Sequence, residues 1–318
     1  MGSTGRDLHV DVPLTNMVIG FEPMGFIVQD IYPMVPVSNQ SNKYYTWDKG
    51  DFFRIPNTER SPKTKGNNVV FNVSSNSYFA KNYAIRHEEA WEDMANADQI
   101  IAGREKRVRA LKNLLMLDWE DRVARSITSG SNLGSFTTLS GTSQWSDYTN
   151  SDPVSDVETG KEAIRSTTGL KANTMIVGHS VHRKLIHHPD IIERIKYTGS
   201  GGFVTNEAIA RLFEVEKYMI GSTIKVTTGE GIADTFADVW GNHATLAHLT
   251  NGPDPDGRDP SLGYTFRWTA PMLGGAPMVA EIWNDPDGGN FENRRVQFYQ
   301  DEKLTATELG YGITDAVA

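Results

Sequence analysis

Four histidines lie close together in the sequence, and imidazole nitrogens are common zinc ligands. They are His179, His182, His187 and His188. A spacing of three or four residues on a helix can direct two imidazoles toward one ion. The segment has no His-Glu-x-x-His arrangement and no acidic residue at a ligating position, and Pro189 indicates a helix break. The pattern therefore favours a polar helix face over a metal site.

Two loops carry closely spaced carboxylates of the kind that bind calcium through oxygen atoms. They are residues 254–259 and 285–289, and both contain the order Asp-Pro-Asp-Gly. Neither continues into the twelve-residue calcium loop that ends in a glutamate. Because Asp, Pro and Gly are also the ordinary residues of tight turns, both loops are predicted to be turns.

Two glycine-containing segments were candidates for phosphate binding or nucleophilic catalysis. Residues 198–202 follow a predicted helix and lack the lysine of a phosphate-binding loop and the order of the dinucleotide motif. Residues 178–182 depart from the Gly-x-Ser-x-Gly elbow of hydrolases, because His182 replaces the second glycine. With no cysteine in the chain, thiol nucleophiles, thiolate metal sites and disulfides are excluded. We therefore expect no enzyme activity, no bound metal and no cofactor.

Composition and charge exclude two further classes of protein. The mean hydropathy is −0.43, and no run approaches the roughly 20 apolar residues of a membrane span. Residues 1–12 contain no apolar signal core, so folding in the cytoplasm is expected. A net charge of −9 argues against general binding to a phosphate backbone, which needs clustered lysine and arginine. A wall that encloses nucleic acid without gripping it can still be acidic.

The first 86 residues are predicted to form an arm followed by a long β-hairpin. In residues 14–42, three prolines forbid a long helix, and the apolar side chains must pack on the protein's own core or on a neighbouring subunit. Strand-like segments at 44–55 and 69–85 flank a polar tip rich in Pro, Asn and Gly. The hairpin is locally basic, since residues 43–65 carry three acidic residues against Lys43, Lys49, Arg54, Arg60, Lys63 and Lys65.

The strongest periodic signal in the chain runs from about His87 to Ser129 and predicts an amphipathic helix. Apolar residues recur there in steps of three or four, with one double step of seven: Ala90, Met94, Ala97, Ile101, Val108, Leu111, Leu115, Trp119, Val123 and Ile127. About 40 helical residues would extend on the order of 60 Å. Gly103 predicts a bend or a break into two helices. A coiled coil is disfavoured, because the steps drift from strict heptads.

An α/β region and a β-rich end follow the loop at residues 132–153. Helices are predicted at 154–168, 180–197 and 205–213, and a short buried strand at 174–178. Further strands are predicted near 218–220, 223–227, 238–249, 263–268, 277–284, 294–300 and 304–309. The chain is therefore predicted to be an α+β protein.

This order of elements resembles the major capsid proteins of tailed bacteriophages, whose fold is named after bacteriophage Hong Kong 97. Residues 170–197 carry the clearest local similarity, with Ala-Asn-Thr, three apolar residues and a glycine, then His-Pro-Asp-Ile. The resemblance implies an N-terminal arm (1–42), an extended β-hairpin called the E-loop (43–86), a P-domain with a long spine helix (87–150 and 260–318) and an α/β A-domain (151–259).

The resemblance also implies a function. Such subunits assemble as hexamers and pentamers into the icosahedral head that encloses a double-stranded DNA genome, without reading its sequence. Charge complementarity between a basic hairpin and an acidic neighbour improves register. The expected inter-subunit contacts are Lys49, Arg54, Arg60, Lys63 and Lys65, against the alternative that these residues only keep an exposed loop hydrated. Assembly in the host cytoplasm, location in the virion and no membrane partner are expected.

Partners and rival assignments follow from the same resemblance. Only about 40 residues precede the E-loop and they lack a charged helical pattern, so either a separate scaffolding protein or none is expected, together with a portal protein. Decoration proteins are left open. One alternative is an encapsulin-type shell, which shares the fold but encloses enzymes. A more distant alternative is a cytoplasmic α/β enzyme, which would need a convergent set of catalytic residues.

Overall fold

The computed structural model describes residues 9–10, 25–96, 104–196, 204–250, 252, 260–269, 276–284 and 291–318. Its helices are α1 (Val28–Ile31), α2 (Lys49–Phe53), α3 (Trp91–Asn96), α4 (Arg104–Thr128), α5 (Pro153–Thr168), α6 (His179–Leu185), α7 (Pro189–Ile195) and α8 (Asn206–Leu212). Its strands are β1 (His9–Val10), β2 (Met34–Val37), β3 (Ser41–Trp47), β4 (Val73–Phe79), β5 (Lys81–Ala90), β6 (Ser135–Thr138), β7 (Thr174–Gly178), β8 (Lys217–Gly221), β9 (Ile224–Val226), β10 (Phe236–Asp238), β11 (Ala244–Ala247), β12 (Gly263–Trp268), β13 (Val279–Asn284), β14 (Phe291–Leu304) and β15 (Gly310–Thr314).

A six-stranded sheet is organised around the long strand β14. The full length of β5 pairs antiparallel with one edge of β14, from Ala90 opposite Phe291 to Lys81 opposite Gln300. The other edge of β14 pairs first with β13 and then with β12. Strand β1 extends the sheet beyond β13, and β2 runs parallel to β12. The arm before the hairpin therefore contributes two strands, β1 and β2, to this sheet.

Helix α4 packs across this sheet and supplies one side of its core. Trp119 is fully buried, and its ring lies 6.4 Å from that of Phe298 on β14. Other buried residues of the predicted apolar stripe are Val108, Leu111, Leu115, Val123 and Ile127. Burying each such side chain stabilises the fold by about 1.5–3 kcal/mol. The apolar stripe therefore predicted the buried face of α4 correctly.

The start of the predicted helix differs from the structure. The segment from His87 to Ala90 belongs to strand β5, and α3 begins at Trp91. Helix α4 has 25 residues, which correspond to about 37 Å. Residues 97–103, between α3 and α4, are not among the described residues, so the predicted length of about 60 Å stays a prediction. The expected bend at Gly103 lies outside the described residues. Pairing with β14 satisfies the backbone of residues 87–90 as a strand, although their side chains also fit a helical period.

The hairpin differs from its prediction in the second strand. Strands β3 and β4 pair antiparallel, with Ser41 opposite Phe79 and Trp47 opposite Val73. Residues 81–85, which were predicted to continue the hairpin, belong instead to β5 and pair with β14. The first predicted strand also ends early, because Asp48 caps the short helix α2 by accepting a hydrogen bond from the Gly50 N–H.

A five-stranded sheet has the order β6-β15-β11-β7-β8. Strands β7 and β8 are parallel, whereas β11 is antiparallel to both β7 and β15. Helix α5 packs on this sheet through Gly160, where an added Cβ would lie 2.6 Å from the Tyr311 ring. Strands β6 and β15 join this sheet from outside residues 151–259, and the predicted domain boundaries stay a prediction.

Local signals explain why α5 and the α6–α7 pair form where they do. Asp152 caps α5 by accepting hydrogen bonds from the Val154 and Ser155 N–H groups, and Gly169 ends the helix with φ of +74°. Pro189 occupies the first turn of α7, so the predicted helix at 180–197 is two helices with the break that this proline indicated.

Close backbone packing at Gly178 gives a first testable prediction. A Cβ on Gly178, between β7 and α6, would lie 2.0 Å from the carbonyl oxygen of Gly241. Because that obstacle is backbone, Gly178→Ala is expected to lower the free energy of unfolding by about 1–3 kcal/mol. Urea unfolding followed by circular dichroism measures it. Gly66→Ala is the control, since nothing lies within 4 Å of a Cβ there; equal midpoints for the two variants would refute the prediction.

Candidate functional site

The base of the β3–β4 hairpin is fixed to the six-stranded sheet. The rings of Tyr44 and Tyr78 stack on Phe266 of β12, with centroids 5.2 and 4.8 Å away. The Phe79 N–H donates to the Asp301 carboxylate over 2.9 Å. Burial raises the pKa of Tyr78 above its ordinary value of 10. The hairpin therefore leaves the body of the subunit from a defined aromatic anchor.

Beyond this anchor, residues 48–72, which we name the exposed loop, are exposed except for the half-buried Asp51. The Asp51 carboxylate accepts hydrogen bonds from the main-chain N–H and the side-chain amide of Asn72, which ties the two arms of the loop together. The rings of Phe52 and Phe71 lie 5.3 Å apart. The loop therefore has internal order, although it has no buried core of its own.

The exposed loop presents large apolar side chains to solvent. The exposed fraction is 95% for Ile55, 67% for Val70 and 63% for Phe53. Phe52, Val69 and Phe71 are also exposed. Clusters of exposed apolar side chains in a folded protein commonly mark a surface that is covered by a partner. This cluster was not singled out from the sequence, although apolar residues on both sides of a polar tip were its signal.

The five predicted contact residues all lie on the exposed loop, but they occupy different parts of it. Lys49 is on α2, where its Nζ lies 3.1 Å from Glu308 Oε1 of the same chain. Arg54 follows α2 directly. Arg60 donates to the carbonyl of Thr64 across a turn, and Lys63 and Lys65 lie in or beside that turn. All five side chains are exposed, and their contact with a neighbouring subunit stays a prediction.

A buried carboxylate in the middle of α4 joins three segments of the chain. Glu120 accepts hydrogen bonds from the N–H groups of Ile27 and Val28 at the start of α1. It also accepts from the Thr223 hydroxyl over 3.1 Å and from the Trp240 indole N–H over 2.8 Å. Burial raises the pKa of Glu120, and these hydrogen bonds oppose the rise. This residue was not predicted from the sequence, because a single glutamate between apolar positions has no distinctive spacing.

The predicted polar helix face forms only in part, because His179 and His182 lie on α6 whereas His187 and His188 lie between α6 and α7. The His182 ring nitrogen Nδ1 lies 3.0 Å from the Tyr218 hydroxyl. His188 is fully buried, and its Nε2 lies 3.1 Å from the Ser151 hydroxyl. Among the described residues, no three potential metal ligands are grouped to hold an ion. The two carboxylate loops at 254–259 and 285–289 lie outside the described residues.

The serine of the partial hydrolase motif is held by hydrogen bonds of its own. The Ser180 hydroxyl lies 2.8 Å from the Asn242 side-chain oxygen and 3.2 Å from the Gly241 carbonyl. Activation of a serine nucleophile requires a hydrogen bond to a general base. Both partners of Ser180 are amide oxygens, which cannot act as that base.

The buried imidazole of His188 gives a prediction about pH. Burial lowers the pKa of His188, while the charges of Asp190 and Asp152 oppose the change. The unfolded chain then binds a proton more readily than the folded chain. The stability contributed by this group is therefore present above the ordinary histidine pKa of about 6.5 and is lost as the pH falls through that value toward the folded pKa.

We expect the urea midpoint to fall between about pH 7.5 and 5.5, and to fall less in His188→Gln, which does not titrate. His182 and His243 have pKa values lowered by burial as well, so part of the pH dependence is expected to remain. The adjacent exposed residue gives the control variant, His187→Gln. Identical pH profiles for the wild type and His188→Gln would contradict this prediction.

Among the described residues, no helix combines the length and apolar character needed to cross a bilayer.

Comparison with known proteins identifies a family to which this chain is similar. The family described as phage major capsid protein E matches residues 107–234. The major capsid protein of Burkholderia phage BcepMu is 31% identical over 278 residues, which cover 84% of this chain and 86% of the relative. The crystal structure of a phage-related protein from Bordetella bronchiseptica superposes with a TM-score of 0.74 at 27% identity, covering 97% of this chain and 98% of that one.

A more distant structural match supports the predicted fold alone. The capsid structure of cyanophage P-SCSP1u superposes with a TM-score of 0.61 at 11% identity, covering 91% of this chain and 88% of that one. The predicted α+β, Hong Kong 97-like capsid fold is confirmed. This chain is 31% identical to a phage major capsid protein over 84% of the chain's own length. It therefore belongs to the phage major capsid protein family and is a structural protein of the capsid.

Proposed function

We propose that this chain assembles as hexamers and pentamers into an icosahedral shell that encloses double-stranded DNA, and that the exposed loop binds a neighbouring subunit. Membership of the capsid family supports self-assembly. The observation that carries the proposal is the cluster of solvent-exposed apolar side chains on the loop, led by Ile55 and Val70. An isolated subunit gains nothing from exposing them, whereas a second copy that covers them gains the free energy of burial.

The basic residues of the exposed loop support the same contact. The chain as a whole has a net charge of −9, so a loop with several cations is attracted to another copy of the same acidic body. Such attraction mainly sets the orientation and the rate of association. The proposed contacts are Lys49, Arg54, Arg60, Lys63 and Lys65. Lys49 already forms an ion pair with Glu308 of its own chain, and in the shell this pair is either exchanged for a contact with the neighbour or retained beside it.

The proposal includes the surroundings in which the shell forms. Assembly takes place in the host cytoplasm, the product is the head of a tailed-phage virion, and a portal protein and a separate scaffolding protein take part. The subunit performs no catalysis. The enclosed DNA is held by the closed wall, because an acidic chain has little general affinity for phosphates.

Substitution of the apolar side chains tests the proposal. Phe53→Ser/Ile55→Ser/Val70→Ser is expected to leave the unfolding midpoint of the unassembled subunit unchanged, because these residues are exposed, and to abolish closed particles. Particles are measured by sucrose-gradient sedimentation and negative-stain microscopy of lysates that contain the wild-type chain or the variant. Thr58→Ala/Asn68→Ala, which changes polar residues of the same loop, is the control and should assemble. Normal particles from the serine variant would contradict the proposal.

A further prediction concerns the five cations. Replacing Lys49, Arg54, Arg60, Lys63 and Lys65 together with glutamine is expected to slow assembly at low ionic strength more than at high ionic strength, because salt screens the attraction in the wild type. Light scattering during assembly measures the rates at two salt concentrations. If the assembly rate of the variant depends on salt in the same way as that of the wild type, these side chains only keep the loop hydrated.

A further inference from the structure

A second exposed apolar surface lies on the small hairpin formed by β9 and β10. Val226 is directly opposite Phe236 in the antiparallel register, and Ile224 is two residues from Val226 on the same strand. Because side chains two residues apart share a face of a strand, these three lie on one face of the hairpin. The exposed fractions are 53% for Ile224, 46% for Val226 and 60% for Phe236. We name these three residues the hairpin face.

The opposite face of the hairpin is turned toward the body of the subunit. Lys225 and Ala237 are directly opposite one another and lie between the residues of the hairpin face. The Lys225 Nζ lies 2.6 Å from the carboxylate of Asp121 on α4. This contact orients the hairpin, so the hairpin face is directed away from α4 and toward solvent. Its exposure is therefore a consequence of how the hairpin is held.

Acidic residues surround the hairpin face. Glu230 and Asp234 are exposed in the connection between the strands, and Asp238 is directly opposite Ile224. The one cation of this segment, Lys225, is paired with Asp121. The surface is therefore apolar at its centre and negative at its margin, the reverse in charge of the exposed loop, which is apolar and basic.

We propose that the hairpin face receives the exposed loop of a second copy of this chain. Two exposed apolar surfaces of opposite charge on one polypeptide match in chemistry, and the described part of the subunit covers neither of them. The loop of the same subunit lies elsewhere, since Lys49 contacts Glu308 and a Cβ on Gly169 would lie 3.3 Å from the Phe53 ring. This inference rests on the proposed function and identifies the surface on which the loop acts.

Cross-linking between cysteines tests the contact directly, because the chain has no native cysteine. Ile55→Cys and Phe236→Cys copies carrying different affinity tags are co-expressed, and assembled particles are treated with a short bis-maleimide. We expect a cross-linked dimer that contains both tags, at least tenfold more abundant than with Ile55→Cys and Phe136→Cys. Phe136 on β6 is the control because it is similarly exposed, at 51%. Equal yields for the two pairs would overturn the inference.

Charge reversal tests the acidic margin independently. Glu230→Lys/Asp234→Lys is expected to reduce particle yield at least tenfold, and adding Arg60→Glu/Lys63→Glu to the same chain is expected to restore it. The unfolding midpoint of each unassembled variant should equal that of the wild type, because all four residues are exposed. Unchanged yield in the first variant, or no recovery in the second, would contradict the proposed pairing.

These experiments distinguish a wrong docking surface from a wrong function of the exposed loop. If Phe53→Ser/Ile55→Ser/Val70→Ser abolishes particles while the cross-linking and charge-reversal results are negative, the loop acts on another surface and only this inference falls. If the serine variant assembles normally, the proposed function of the loop falls and this inference falls with it.

Discussion

Replacing Arg294 with methionine is expected to lower the free energy of unfolding by about 3–5 kcal/mol, because it removes the buried cation that pairs with two buried carboxylates. Arg294 on β14 is 1% exposed and forms ion pairs with Glu89 on β5 and with Glu292. Its Nε donates to Glu292 over 2.9 Å. Glu89 is also paired with Arg107 near the start of α4. This cluster joins β5, β14 and the long helix α4.

The measurement is urea unfolding of the unassembled subunit. Arg86→Met is the matched control, since Arg86 lies on β5 in an ion pair with Glu88 in which both side chains are more than half exposed. Exposed pairs contribute little, so the control should change the free energy by less than about 1 kcal/mol. Adding Glu89→Gln and Glu292→Gln to Arg294→Met should recover part of the loss, because the buried charges are then gone. Similar losses in Arg294→Met and Arg86→Met would refute the assignment.

Replacing Glu120 with alanine is expected to lower the free energy of unfolding by about 2–4 kcal/mol. Four donors lose their acceptor, and the hydrogen bonds of two of them, the Val28 N–H and the Trp240 indole N–H, are buried, where an unsatisfied group costs about 1–3 kcal/mol. Helix α1 has no cap from its own N-cap residue, Ile27. The Glu120 carboxylate receives the N–H groups of Ile27 and Val28 instead, which places a negative charge at a helix N-terminus. The Trp240 indole N–H is 2.8 Å from the same carboxylate.

Hydrogen exchange distinguishes the capping of α1 by Glu120 from a general loss of helix stability. Hydrogen exchange of the amides at Val28–Ile31 should become faster in Glu120→Ala, because α1 loses its cap. The control is Glu105→Ala, at an exposed position in the first turn of α4, the helix that carries Glu120. It should leave the exchange of the α1 amides unchanged. Unaltered exchange in α1 together with a normal unfolding midpoint would show that Glu120 does not hold the arm to the subunit.

Elements with strong local signals were predictable within one or two residues. For α5, a capping aspartate, a proline in the first turn and a terminal glycine set both ends, and the structure has Pro153–Thr168. For β7, the apolar run after Asn173 predicted the bounds Thr174–Gly178 that the structure has. These signals depend only on neighbouring residues, so no knowledge of the tertiary fold is needed to interpret them.

The candidate site was only partly predictable. The position of the loop and its positive charge follow from composition between residues 43 and 65. The exposure of Ile55 and Phe53 does not, because an apolar residue beside a turn is equally compatible with a core position. The hairpin face has the same ambiguity, since the alternation of Ile224, Lys225 and Val226 does not say which side faces α4.

The sequence by itself determined the α+β composition, the buried stripe of α4, most strand positions of the α/β region and the basic character of the loop. Only the tertiary structure decided that β5 leaves the hairpin to pair with β14, that β6 and β15 join the sheet of β7, and that Glu120 caps a helix about 90 residues earlier in the chain. The physical reason is that caps, turns and periodicity act between neighbours. Strand pairing and the burial of a single charge depend on partners that are distant in the chain and close only after folding.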